Sequence, residues 1–128
     1  MDEVEFQFKW IGAYMYSINR QVAVIKPMVP YVNWINSLPE MDDQMDIEDL
    51  RTDCTAILLP HFDHDEVSLK FIKSKYTKIF ELELDSWSAD KSAWPKKRTY
   101  SVFLEWFDIE FHSEVLDFGK GEIEKEEY

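Results

Sequence analysis

Two short apolar runs, each closed by a proline, constrain the fold of this chain more than any other feature. Residues 20–27 read RQVAVIKP and residues 54–60 read CTAILLP. Val22, Ala23, Val24 and Ile25 follow one another without a polar break, as do Ala56, Ile57, Leu58 and Leu59. A run of four to eight apolar residues between breakers fits a strand covered on both faces, because strict alternation is needed only where one face meets water. Proline stops each run, since it cannot donate to a sheet ladder. Val22, Val24, Ile25, Ile57 and Leu58 are therefore expected in the core. The connection between the runs has room for a helical crossover, which predicts parallel strands with a right-handed connection.

Helical patterns occupy much of the remainder. MVPYVNWINSLP puts Pro30 in a first turn and Tyr31, Trp34, Ile35 and Leu38 on one face, with Pro39 as the stop. IEDLR in the acidic loop has the look of one helical turn. A long helix from Asp63 to about Trp87 carries Val67, Phe71, Ile72, Tyr76, Ile79, Phe80 and Leu84 as a broad stripe, with Lys70, Lys73, Lys75 and Lys78 on much of the rest. Thr99 suits the cap of a further helix that aligns Tyr100, Phe103, Leu104, Phe107 and Phe111. Phe80, Phe103 and Phe107 join the expected core. SEVLDF reads as a final short strand. The order β-α-β-α-α-β predicts an α+β (or small α/β) domain, with a three-stranded sheet packed against three helices.

The single domain is expected over residues 17–118. Residues 1–16 form an N-terminal extension, in which Val4, Phe6, Phe8 and Trp10 alternate as an added strand would. Residues 119–128, GKGEIEKEEY, are a charged tail expected to be disordered. With nine Phe, six Tyr and five Trp, core material is ample and no metal or disulfide is required to supply it. Cys54 is the one cysteine, so no intramolecular disulfide forms; it reads as a small buried hydrophobe in a reducing compartment. No apolar run reaches the ~20 residues of a membrane span. MDEVEF lacks the basic and apolar regions of a secretory signal, so a cytoplasmic location is expected.

Charge narrows the partners. The net charge is −12, which repels phosphate backbones and disfavours nucleic acid as a ligand. An acidic imitation of nucleic acid is a further alternative, but the charge gathers in the loop EMDDQMDIEDLRTD and in the tail rather than along one face. That loop does not match a calcium loop either. Read from Asp42, its sixth position is Ile47 where glycine is needed, and its last is Asp53 rather than a reaching glutamate.

Two segments could carry chemistry. In HFDHDE, His61, Asp63 and His64, joined by His112 if the fold brings it near, are candidate metal ligands. The structural alternative makes Asp63 the N-cap of the long helix, with Glu66 completing a capping box and Asp65 facing the helix dipole. In WPKKRTY, Trp94, Lys96, Lys97 and Arg98 precede a helix start and could hold an anion or an acidic partner segment; alternatively the charges solvate a loop while Trp94 closes the core. His112 would complement the dipole at the end of the last helix. No nucleophile elbow, P-loop or dinucleotide fingerprint occurs, and no cofactor is implied.

The succession INR, VIKP, PYVNWINSLP, ILLP, IFELELDSW, WPKKRTY, FLEWF and FHSEVLDF resembles a family of small uncharacterised bacterial proteins, over roughly Ser17 to Phe118. The resemblance implies a bacterial cytosolic domain and carries over no site residue. The leading expectation for function is a non-enzymatic domain that binds a protein partner or itself. The alternative is a small metal-dependent or acid–base enzyme using His61, His64 and His112.

Overall fold

A computed structural model describes residues 15–128, and the strand pattern at residues 4–10 lies outside them. The described chain forms β1 (Tyr16–Ser17), β2 (Arg20–Pro27), α1 (Val29–Ser37), α2 (Ile47–Leu50), β3 (Thr55–Pro60), α3 (Asp65–Asp85), a 3-10 turn (Lys91–Ala93), α4 (Tyr100–Trp106), β4 (Phe107–His112) and β5 (Leu116–Asp117). The main sheet has the order β3-β2-β4, and both pairings are antiparallel. The helices α1, α3 and α4 pack on one of its faces, with α2 a single turn against α1, a small α+β fold.

Strands β2 and β3 run antiparallel, not parallel as their apolar runs and the long connection predict. Helix α1 leaves the end of β2, and the loop and α2 bring the chain back to that same end. Arg51, just after α2, donates from Nε to the carbonyl oxygen of Pro27 at 3.0 Å, fixing the return. A strand that starts where its neighbour stops must run antiparallel, so Thr55 faces Ile25 and Pro60 faces Arg20.

The third strand comes from a segment read as helix. Phe107 closes α4 in an extended conformation, and Phe107, Ile109 and Phe111 then pair with Pro27, Ile25 and Ala23. The sequence FDIEFH satisfies both periods: Phe103, Phe107 and Phe111 are four apart, yet Phe107, Ile109 and Phe111 alternate with Asp108, Glu110 and His112. The unpaired edge of β2 decides between them, because its backbone groups need partners. Leu116–Asp117 pairs with Tyr16–Ser17 in a separate two-stranded sheet, so Tyr16 folds with the domain. Residues 119–128 are exposed and have neither helix nor strand.

The core lies between the sheet and the helices. Ala23, Ile25 and Leu59 meet Tyr31, Trp34, Ile35, Ile72, Phe80, Leu84, Phe103 and Phe107 there. Phe80 contacts Phe103, Trp106 and Phe107, with ring centroids 5.5–5.7 Å apart. Gln21 is also buried in this layer, its amide nitrogen donating to the Ser68 hydroxyl and to the Pro60 carbonyl. Val22, Val24 and Leu58 do not join the core. They alternate onto the other face, where Leu58 is 47% exposed and Val22 and Val24 are half-buried.

Candidate functional site

Where β2 ends and β3 begins, five elements enclose a cavity of about 160 Å³. Ile25 and Pro27 come from β2, Tyr31 from α1, Leu50 from α2, Cys54 and Thr55 from the start of β3, and Glu83, Ser86 and Trp87 from the end of α3. The α3 stripe brings Glu83 here because its neighbour Leu84 is fully buried, which turns the glutamate toward the sheet margin. The backbone around it is tightly held. The Tyr31 hydroxyl donates to the Glu83 carbonyl at 2.6 Å and the Ser86 hydroxyl at 2.7 Å.

Glu83, Tyr31 and Cys54 in this cavity are perturbed by burial. Desolvation raises the Glu83 carboxyl above its usual range, and a hydrogen bond with Thr55 offsets only part of that. Desolvation likewise raises the Tyr31 phenol, with the Glu83 charge adding to the effect. It also raises the Cys54 thiol, against the opposing pull of Lys26 and Arg51. Cys54 is partly exposed and donates to the Arg51 carbonyl at 3.7 Å, and its raised thiol keeps it a weak nucleophile. Perturbed groups gathered in a concavity are a physical mark of a binding site. The one local signal for this site is Glu83 beside the buried Leu84, within IFELELD.

The second feature is the sheet face turned away from the helices. Cross-strand rows there run Leu58–Val22–His112, Ala56–Val24–Glu110 and Lys26–Asp108. Its centre is apolar: Ala56 and Leu58 are exposed there, and Val22 and Val24 are half-buried. His112 Nε2 lies 3.4 Å from Glu110, both well exposed.

The histidines fall elsewhere than expected. His64 stands at the N-cap of α3 and its side chain makes no cap bond; the helix starts at Asp65, so Asp63 is not the cap either. The capping box expected of Asp63 and Glu66 is thus absent, because the His64 carbonyl opens the helix, accepting from Val67 and Ser68. Asp65 and Glu66 do occupy its first turn. His112 is the last residue of β4 rather than the end of a helix, which corrects its dipole role. His61 follows Pro60 on one side of β2 and His112 lies on the other, with two strand spacings, roughly 9–10 Å, between their strands and a further offset along them. Among the described residues no group of three or more His, Cys, Asp or Glu side chains comes close enough to hold a metal ion. Lys26 stands at the opposite end of the sheet from His61, beside Cys54.

The WPKKRTY segment folds around its tryptophan. Trp94 is 7% exposed, and its indole N–H donates to the Ser88 carbonyl at 2.8 Å. Lys91 and Arg98 lie over the ring at 5.8 and 5.7 Å from its centroid, while Lys96 and Lys97 point to solvent. Thr99 Oγ1 accepts from the Val102 N–H at 3.3 Å, so the expected threonine cap of α4 is in place where an anion could otherwise have bound.

Among the described residues no helix is long and apolar enough to cross a membrane. Comparison with protein-family models, with curated proteins and with solved structures finds no match.

Proposed function

We propose that this protein is a non-enzymatic interaction domain that binds a partner protein through the open face of its sheet. The observation that carries this reading is the row Leu58–Val22 and its neighbour Ala56–Val24, apolar side chains turned away from the core. Leu58 and Ala56 are exposed and Val22 and Val24 half-buried, and apolar surface gathered on one face of a small domain supports an interaction site. Strand β3 adds to it: among the described strands TAILLP is an edge without a charged side chain, whereas edges that must stay free carry charges or bulges. The other edge, β4, carries Asp108, Glu110 and His112. With a net charge of −12, the domain attracts a partner whose apolar strip is bordered by cations.

The test compares wild type with Leu58→Lys in quantitative affinity capture, after circular dichroism has shown equal folding. A basic protein held by wild type at low salt, released at high salt and absent with the variant supports the reading. Identical captured sets would refute it. A wild-type dimer that the variant converts to monomer would instead make a second copy the occupant.

A further inference from the structure

We propose that the cavity beside Glu83 binds a primary ammonium group, presented by a small free amine or by a lysine side chain of another protein. The proposal is independent of the sheet-face reading. A carboxylate taken out of water needs a compensating partner, and a cation is the strongest. Glu83 has the Thr55 hydroxyl, but among the described residues the one side-chain ion pair is His112–Glu110, on another part of the molecule. Among the described residues no cation pairs with Glu83. Arg51 donates its Nε to the Pro27 carbonyl, and neither Arg51 nor Lys26 is among the groups that perturb the Glu83 carboxyl.

The rest of the lining suits an ammonium on a short apolar stem. Asp53 contributes a second carboxylate, so an anion would meet two like charges. Trp87 and the edge of Tyr31, whose ring packs on Trp34 and Phe107, complete the lining. Ile25, Pro27 and Leu50 offer an apolar wall for methylene groups. At about 160 Å³ the space resembles cavities that take a benzene-sized ligand, which is enough for the end of a lysine side chain.

The experiment titrates the full chain, at neutral pH, with n-butylammonium and with Nα-acetyl-lysine amide, following amide and indole resonances by NMR. Saturable shifts of Thr55 and of the Trp87 indole are expected with butylammonium. The neutral analogue n-butanol should bind about tenfold or more weakly, as a lost charge-assisted hydrogen bond requires. Glu83→Gln keeps the shape and should abolish the preference for the cation. Binding of both ammonium probes identifies a pocket open to lysine side chains; binding of butylammonium alone identifies a free-amine site. Absence of saturation with either, equal affinity for butanol, or an unchanged preference in Glu83→Gln overturns the proposal.

Discussion

Gln21 of β2 and Ser68 of α3 are joined by a hydrogen bond inside the core, with 2% and 0% of their surfaces exposed. This polar pair links the central strand to the longest helix near the start of both elements. Ser68→Ala removes the hydroxyl that receives the Gln21 amide and leaves that amide with Pro60 alone. The expected cost is about 1–3 kcal/mol by urea titration, the price of an unmet buried group. Adding Gln21→Leu should restore part of the loss, since the two residues act as one unit. Strict additivity of the two changes would show that the pair is not coupled.

Glu83 predicts the pH dependence. Its carboxyl is raised in the folded state, so the folded chain holds its proton at higher pH than the unfolded chain does. The contribution from this group is fully present below the unfolded value, near pH 4, and is lost as pH rises through the folded value. Glu83→Gln should therefore gain stability over wild type at neutral pH and lose that advantage toward pH 4. Melting curves at matched ionic strength measure it; a constant difference across this window would contradict the assignment.

The two faces of the sheet should respond differently to truncation. Phe103 and Phe107 are 0% and 1% exposed, and replacing either by Ala should cost about 3–5 kcal/mol. Leu58→Ser, on the open face, should change stability by about 0.5 kcal/mol or less. Chemical denaturation of the three variants separates the faces directly. A large loss at Leu58 would mean that its face is covered.

Helix caps give a further check. Thr99→Ala should cost about 1 kcal/mol because Thr99 accepts from Val102, and Asp46→Ala a similar amount because Asp46 and Asp49 form a capping box at α2. Asp63→Ala should leave stability unchanged, since His64 occupies the N-cap of α3. A loss at Asp63 matching that at Thr99 would move the start of α3.

Much of this fold was legible in the sequence. The strands at Val22 and Ile57, the proline stops, the helix after Pro30, the long helix and the cap at Thr99 follow from apolar spacing and backbone chemistry, which act within a few residues. The aromatic core at Phe80, Phe103 and Phe107 follows from the same spacing. Tertiary structure alone decided the relations between distant segments. The return of Arg51 to Pro27 reversed the direction of β3 and set Lys26 and His61 at opposite ends. The open edge of β2 turned FDIEFH from helix to strand, a choice two overlapping periodicities left undecided. Which face of VAVI meets the helices depends on what is packed above it, so Val22 and Val24 face outward while Ala23 and Ile25 are buried. The Glu83 cavity is of the same kind: its walls come from five elements, and no local pattern brings them together.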